Sequence, residues 1–148
     1  MTSVLSLGSN LGDRMGFLRL GVSVLEPVAV SQVYETRPDG PVEQEDFLNL
    51  VALCSWDAAE AWRRAAHAET LAERAREVRW GPRTLDVDVI WASGTDPALV
   101  LPHPRAHTRA FVLVPWLELD SEAVLPGYGP VADLVVDTAS VRPVGPLA

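Results

Sequence analysis

The most informative stretch of the sequence is RWGPRTLDVDVIW, residues Arg79–Trp91, in which an apolar run carries two aspartates. Side chains alternate between the two faces of a strand, so Asp86 and Asp88 share one face and the aliphatic residues around them share the other. Two neighbouring carboxylates repel each other unless a cation lies between them. Because Mg²⁺ is commonly held by one or two carboxylates plus substrate phosphates, the stretch predicts a cation site on a strand.

Residues that can donate hydrogen bonds to a phosphate lie just upstream of the aspartates. Arg79 and Arg83 can each offer two N–H groups to a phosphate. The alternative for the aspartate pair is a solvated strand face. Ile90 and Trp91 continue the run as a buried strand would, which favours the cation site over that alternative.

The composition of the 148-residue chain indicates one globular domain, 1–148, with a sizeable core. We find no signal-peptide pattern and no apolar run of membrane-spanning length, so we expect a cytoplasmic protein. The single cysteine, Cys54, lies in an apolar run and excludes an internal disulfide. A buried structural thiol is the expectation for it, with a nucleophile as the alternative.

The charge pattern points to a small anionic ligand. A formal net charge of −8 argues against binding to nucleic acid or to an anionic membrane. All 12 basic residues are arginines, and eight of them lie between positions 63 and 109, so positive charge is concentrated locally. Biased residue usage is the alternative explanation, and Arg63 and Arg64 are expected only to solubilise a helix.

The first half of the chain predicts alternating strands and helices. We expect strands at Val4–Leu7, Val28–Thr36 and Phe47–Cys54. Asp13 is placed to cap a helix that runs to about Leu25, and Asp57 is placed to cap a helix over 58–74. The loop 37–46 is long for a hairpin and is therefore a candidate functional loop.

The second half begins with an arginine-rich segment, 73–83, that we expect to cross the surface as a mobile loop. The aspartate strand follows at Thr84–Trp91, then a short strand at Leu99–Leu101, a helix through Phe111–Leu119 and a short strand at Val131–Val136. The order β-α-β-β-α-β predicts an α+β, ferredoxin-like βαββαβ sandwich. Its helices cover one face of an antiparallel sheet, with extra C-terminal elements.

Four motifs resemble those of the 6-hydroxymethyl-7,8-dihydropterin pyrophosphokinases, over nearly the whole chain. They are LGSNLGDR at 7–14, YETRPDG and QEDFLN between 34 and 49, RAREVRWGPRTLDVD at 74–88, and PHPRAHTRAF at 102–111. Members of that family transfer the terminal diphosphate of ATP to the hydroxymethyl group of the pterin, release AMP and use two Mg²⁺ ions. The resemblance implies this activity, in folate biosynthesis, for the chain.

The resemblance also implies roles around the ATP. Asp86 and Asp88 match the residues that hold both metal ions. Arg74 and Arg76 match arginines of a mobile catalytic loop that closes over the triphosphate. The remaining residues that match nucleotide contacts are Glu69, Trp80, Arg83, His103 and Arg109. Without the resemblance, Trp80 reads as core packing, Glu69 as a solvated helix residue and His103 as a structural histidine.

For the pterin, the resemblance implies that Phe47 and Phe111 sandwich the ring and that Asn49 hydrogen-bonds its amide edge. Thr36 and the backbone around Asp39 and Gly40 match the loop that completes this edge. Strand alternation independently puts Phe47 and Asn49 on one face. The turn Gly8–Asn10 is expected to support the pterin site, since GSNLGD is not a Walker phosphate loop.

Three hypotheses follow from the sequence. The first is a monomeric enzyme with ATP and 6-hydroxymethyl-7,8-dihydropterin as its substrates. The second is a ferredoxin-like binding or regulatory module that binds the ligand without chemistry. The third is a metal-assisted phosphohydrolase, which would release phosphate without the pterin.

Overall fold

The computed structural model describes residues 2–37, 45–74 and 84–147. In chain order its elements are β1 (Ser3–Ser9), α1 (Arg14–Leu25), β2 (Ala29–Val30), β3 (Val33–Thr36), β4 (Phe47–Cys54), α2 (Ala58–Arg74), β5 (Asp86–Ala92), a 3-10 turn (Ala106–Thr108), α3 (Ala110–Leu119), β6 (Val124–Leu125), β7 (Gly129–Pro130), α4 (Val131–Leu134) and β8 (Val141–Gly145). The predicted α+β class is confirmed. The predicted mobile loop falls almost entirely outside the described residues.

The main sheet has the strand order β5-β1-β4-β3-β8, with β2 paired to β4. Every strand pair in the described part of the chain is antiparallel, as predicted. The central strand β1 lies between β4 and β5, and its Gly8 is opposite Asn49 on one side and Asp86 on the other. This register places residues from three separate sequence motifs in one row.

The sheet is covered differently on its two faces. On one face, Leu5 and Leu7 of β1 pack with Leu18 of α1 and with the alanines of α2. On the other face, Val4 packs with Trp116 and its neighbours on α3. The prediction that the helices of the βαββαβ unit cover one face is confirmed for α1 and α2, and the additional C-terminal helix α3 covers the other face. Helix α3 covers only part of its face, and the cavity described below lies beside it.

The two long helices begin at the predicted caps. The Asp13 carboxylate accepts a hydrogen bond from the Gly16 N–H at 3.0 Å, and Asp57 accepts one from the Glu60 N–H at 3.0 Å. Both satisfy N–H groups that have no partner within the helix. Across the described ranges, no helix is both long enough and apolar enough to cross a membrane.

The strand predicted at Val28–Thr36 is divided into two. Val30 is opposite Ala52 and Tyr34 is opposite Asn49, so four steps along β2 and β3 match three steps along β4. The extra residue breaks the ladder near Ser31, whose hydroxyl accepts a hydrogen bond from the Val51 N–H at 3.0 Å. Strand alternation alone does not reveal such a bulge.

Two short strands in the C-terminal part were predicted wrongly. Leu99–Leu101 is irregular and lies between two prolines, which cannot donate to a strand ladder. The segment predicted as a strand at Val131–Val136 contains helix α4, which begins directly after Pro130. The longest of the three strands that the sequence missed is β8, which pairs with β3 at the edge of the sheet. Its Pro143 made it read as a loop.

Glu118 joins α3 to the sheet beneath it. One carboxylate oxygen accepts a hydrogen bond from the Tyr34 hydroxyl at 2.5 Å, and the other accepts one from the Gln32 N–H at 2.9 Å. Burial, together with the adjacent carboxylate, raises the pKa of Tyr34 to about 12. The neutral phenol is thus the form that the fold stabilises.

Replacing Tyr34→Phe removes this donor and should lower the free energy of unfolding by about 1 to 1.5 kcal/mol, measured by urea denaturation at neutral pH. Because the folded pKa is raised, the contribution is complete below pH 10 and is lost as the pH rises towards 12. Tyr128→Phe is the matched control, since Tyr128 is exposed. Equal stability of Tyr34→Phe and the wild type would contradict this role.

Candidate active site

A cavity of about 510 Å³ lies on the part of the sheet face that α3 leaves open. The residues that line it come from strands β1, β3, β4 and β5, from helices α2 and α3, and from their flanks. They are Ser6, Gly8, Thr36, Arg37, Phe47, Asn49, Trp62, Glu69, Asp86, Val87, Asp88, Arg109 and Phe111. Eight residues that were candidates from the sequence are therefore brought together in one cavity.

The aspartate pair lies on β5, the edge strand of the sheet. Asp86 and Asp88 are partly exposed while Val87 between them is buried, so the predicted alternation is confirmed for these residues. Arg109 Nη1 lies 3.6 Å from Asp88 Oδ2. This guanidinium also lies over the Phe111 ring, 5.3 Å from its centroid. A cation of the protein thus already neutralises part of the charge beside the aspartates.

The donor set at Asp86 and Asp88 suits a cation that is shared with phosphate. Within the described ranges, no group of three or more His, Cys, Asp or Glu residues is arranged to hold a metal ion. A site made of protein ligands alone is therefore not found there. Two carboxylates fit Mg²⁺, which keeps several waters and takes its other ligands from substrate phosphates.

The opposite side of the cavity has the features of a pocket for a flat heterocycle. Asn49 is only 3% exposed, and its Nδ2 donates a hydrogen bond to Thr36 Oγ1 at 2.6 Å. This bond fixes the amide orientation. Phe47 and Phe111 supply aromatic surface from β4 and α3. Phe47 and Asn49 line the same cavity, so the alternation predicted for them is confirmed.

Gly8 is the neighbour that lets Asn49 lie in the cavity. A Cβ atom on Gly8 would lie 2.8 Å from Asn49 Oδ1 and 3.4 Å from Phe47 Cδ1. Any side chain at this position would therefore push against the amide. Gly8 and Ser9 belong to β1 rather than to a turn, but Gly8 supports the predicted pocket.

Two further predicted residues contact the outer edge of β5, Glu69 through its side chain and His103 through its backbone. Glu69 Oε2 accepts a hydrogen bond from the Val87 N–H at 2.8 Å, which ties α2 to the backbone between the two aspartates. The His103 N–H donates to the Ile90 carbonyl at 2.8 Å, further along the same edge. Glu69 is therefore not a solvated helix residue, although its predicted contact with the nucleotide remains a prediction.

His103 is held as a neutral donor. Burial lowers its pKa; the Asp88 carboxylate opposes this shift, and the Arg109 and Arg105 guanidiniums add to it. Nδ1 accepts a hydrogen bond from the Arg105 N–H at 3.1 Å, so in the neutral ring Nε2 carries the proton. That N–H is suited to donate to an anion.

The structure does not bring every predicted residue to the cavity. Two described candidate residues do not line it: Arg74, which is the exposed last residue of α2, and His103. The other predicted residues lie outside the described ranges, so their placement is not tested. They are Asp39, Gly40, Arg76, Trp80 and Arg83.

Sequence reasoning missed Ser6, Arg37 and Trp62. Ser6 lies opposite Asp88 and two residues from Gly8, so strand alternation identifies it once β1 is paired with β5. Trp62 precedes Glu69 by seven residues, or two helical turns, and so lies on the same flank of α2. Trp62 can therefore be identified from the sequence by searching α2 for residues that lie whole helical turns away from Glu69.

Comparison with known proteins assigns the chain to a family. Residues 4–121 match the model of the 7,8-dihydro-6-hydroxymethylpterin-pyrophosphokinases. These residues include all the strands and helices that form the cavity. The chain belongs to this family.

Curated relatives carry the name 2-amino-4-hydroxy-6-hydroxymethyldihydropteridine pyrophosphokinase. A protein of Mycobacterium leprae is 51% identical over 140 residues, covering 82% of this chain and 73% of the relative. One from Mycobacterium tuberculosis is 44% identical over 154 residues, covering 90% and 82%. One from Bacillus subtilis is 39% identical over 126 residues, covering 78% and 75%.

Replacing Gly8→Ala should impair use of the pterin specifically. The new methyl group displaces the Asn49 amide, which the Thr36 hydrogen bond holds in place, and we expect the KM for the pterin to rise roughly 10- to 100-fold. Steady-state kinetics with each substrate varied in turn measure this, and the KM for ATP should change less.

Ser3→Ala is the matched control, because Ser3 lies on the same strand outside the cavity and the change adds no atoms. Thermal denaturation checks that both variants are folded. An unchanged pterin KM in folded Gly8→Ala would show that Asn49 does not hold the pterin.

Proposed function

We propose that this cavity is where the chain transfers the terminal diphosphate of ATP to the hydroxymethyl group of 6-hydroxymethyl-7,8-dihydropterin, with release of AMP. The chain is an ATP-dependent pyrophosphokinase of folate biosynthesis, as its family membership and its named relatives indicate. We also propose a position for each substrate within the cavity.

The observation that carries the proposal is the row formed by Asn49, Gly8 and Asp86 across three adjacent strands. Neighbouring strands are about 4.8 Å apart, so the backbone positions of Asn49 and Asp86 stand about 10 Å apart across the open face. A pterin whose amide edge meets Asn49 then extends its hydroxymethyl group towards the aspartates. The reacting oxygen would lie where phosphate charge is best neutralised.

On the pterin side, we propose that Phe47 and Phe111 enclose the ring while Asn49 and Thr36 bond its polar edge. Aromatic surfaces exclude water and stack on a flat heterocycle. An amide offers both a donor and an acceptor, and the Thr36 bond leaves Asn49 Oδ1 facing Gly8 in the cavity. The backbone around Asp39 and Gly40 is proposed to complete this edge.

The hydroxymethyl oxygen is the proposed nucleophile. It attacks the β-phosphorus of ATP while the bond from that phosphorus to the oxygen that bridges to the α-phosphate breaks, and AMP leaves. No protein nucleophile is required, because phosphoryl transfer is catalysed mainly by positioning and by electrostatic stabilisation. The task of the protein is to align the two substrates and to exclude water.

Asp86 and Asp88 are the proposed ligands of two Mg²⁺ ions. When bound, these ions supply neutralisation of phosphate charge and alignment of the attacking and leaving oxygens. Two contacts around the aspartates support this proposal. Glu69 fixes the intervening backbone at Val87, and Arg109 holds the Asp88 carboxylate at the cavity wall.

The remaining groups that we propose to contact ATP are basic or aromatic. Arg109 and the neutral His103 are proposed to donate to phosphate oxygens beside Asp88. Arg83 and Trp80 are proposed to contact the nucleotide, and Arg74 and Arg76 to stabilise the charge of the transition state. We further propose that the chain acts as a cytoplasmic monomer.

The test of the proposed function is the identity of the nucleotide product. Purified protein incubated with Mg²⁺, the pterin and ATP labelled at the β-phosphate should yield labelled pterin diphosphate and an equal amount of AMP, separated by anion-exchange chromatography. ADP as the product would contradict diphosphate transfer. Phosphate release without the pterin would indicate a phosphohydrolase instead.

Asp88→Asn provides the matched variant, since it keeps the side-chain volume and removes the charge that a metal ion requires. We expect the rate of AMP formation to fall by about three or more powers of ten, or at least about 4 kcal/mol of transition-state stabilisation. Asp96→Asn, which is outside the cavity, should keep the wild-type rate. Ordinary turnover by Asp88→Asn would show that the metal assignment is wrong.

A further inference from the structure

We propose that Trp62 forms the stacking surface for the base of the nucleotide, on the side of the cavity away from the pterin. The inference rests on the proposed function and deepens it, because it names the residue that holds the base of ATP. Trp62 is carried by α2, lines the cavity and is 39% exposed. The Trp62 side chain therefore presents accessible apolar surface inside the cavity.

The position of Trp62 follows from the geometry of α2. The helix buries Ala61, Ala65 and Ala68 against the sheet, and its Arg64 bonds the Val24 carbonyl of α1. Trp62 and Glu69 therefore lie on the opposite flank of α2 from α1. Glu69 on that flank bonds the Val87 N–H, so the Trp62 flank faces the outer edge of β5.

The cavity thus has two sides, with the aspartates between them. Asn49, Phe47 and Phe111 occupy one side, and Trp62 and Glu69 occupy the other. If the β-phosphate lies at Asp86 and Asp88 and the pterin fills the first side, the nucleoside has to extend towards α2. Trp62 and Glu69 are seven residues apart on α2, which corresponds to a rise of about 10.5 Å along the helix axis. An α-phosphate and a ribose can span this distance.

Stacking suits the chemistry of this flank. Trp62 has an indole ring with two faces, and Ala66, one turn further along, offers only a methyl group beside it. Every nucleobase has a π-face, so stacking provides affinity with little choice among bases. Trp62 should therefore contribute to nucleotide affinity and leave the pterin site unaffected.

The experiment measures binding with two probes. Isothermal titration calorimetry with Mg²⁺ and α,β-methylene-ATP reports on the whole nucleotide, and inorganic tripolyphosphate reports on the phosphates alone. Trp62→Ala should raise the Kd for α,β-methylene-ATP about tenfold and leave the Kd for tripolyphosphate unchanged. Trp62→Phe, which keeps an aromatic face, should recover most of the affinity.

His67→Ala is the matched control, because His67 is an exposed aromatic residue of the same helix that does not line the cavity. In turnover, Trp62→Ala should raise the KM for ATP more than it lowers kcat. An unchanged Kd for α,β-methylene-ATP, an equal loss of tripolyphosphate binding, or no recovery in Trp62→Phe would each overturn the assignment.

These experiments distinguish failure of the proposed function from failure of the Trp62 assignment. A wild-type protein that binds α,β-methylene-ATP but forms no AMP would contradict the reaction, and the calorimetry would still decide the role of Trp62. A wild-type protein that does not bind the analogue would overturn both proposals.

Discussion

The site depends on the register of the central strand β1 against its two neighbours. Antiparallel pairing with β4 and β5 places Gly8 between Asn49 and Asp86, and places Ser6 beside Asp88. A slip of one residue in either pairing would move an entire set of side chains to the opposite face. Residues from distant motifs meet in one cavity because the buried leucines of β1 fix this register against the helices.

The second constraint is the partial cover of the sheet by α3. Helix α3 packs against Val4 and Ile90 and stops short of the rows that contain Ser6 and Gly8. Its N-terminal boundary is therefore at the rim of the cavity. Arg109, which precedes the helix, reaches Asp88, and Phe111 in its first turn faces the cavity. The length of α3 thus determines which part of this sheet face is buried in the core and which part lines the cavity.

The edge position of β5 is equally important for function. An edge strand leaves backbone groups without a strand partner, and such groups need other partners. Glu69 and the backbone of His103 supply them at Val87 and Ile90. Anchoring the edge in this way keeps the aspartates in position without closing the cavity, since no further strand among the described residues covers them.

The sequence predicted those parts of the fold for which local signals are strong. Strand β4 and helix α2 were predicted at their observed bounds, because an unbroken apolar run and an aspartate cap define them. Strand β8 was missed because Pro143 hides an edge strand whose pairing depends on β3. Only the assembled sheet shows where such a strand pairs.

For the site, too, the sequence predicted the residues that have strong local signals and missed the others. Asp86, Asp88, Phe47 and Asn49 were found from alternation and motif resemblance. Trp62 was not found, because a tryptophan in an alanine-rich helix does not by itself separate a core residue from a ligand surface, and only its seven-residue spacing from Glu69 places it on the cavity flank. The partner of Glu69 is a backbone N–H, which no side-chain motif encodes. Contacts of this kind require the three-dimensional arrangement.

We propose above that the aspartate pair lies between the two substrates and holds the metal ions there. The most direct test of this proposal is a crystal structure of the complex with α,β-methylene-ATP, the pterin and Mn²⁺, with anomalous scattering to locate the metal. We expect two anomalous peaks between the carboxylates of Asp86 and Asp88 and the triphosphate, with the pterin on the Asn49 side. Peaks remote from both carboxylates, or a pterin on the Trp62 side, would contradict it.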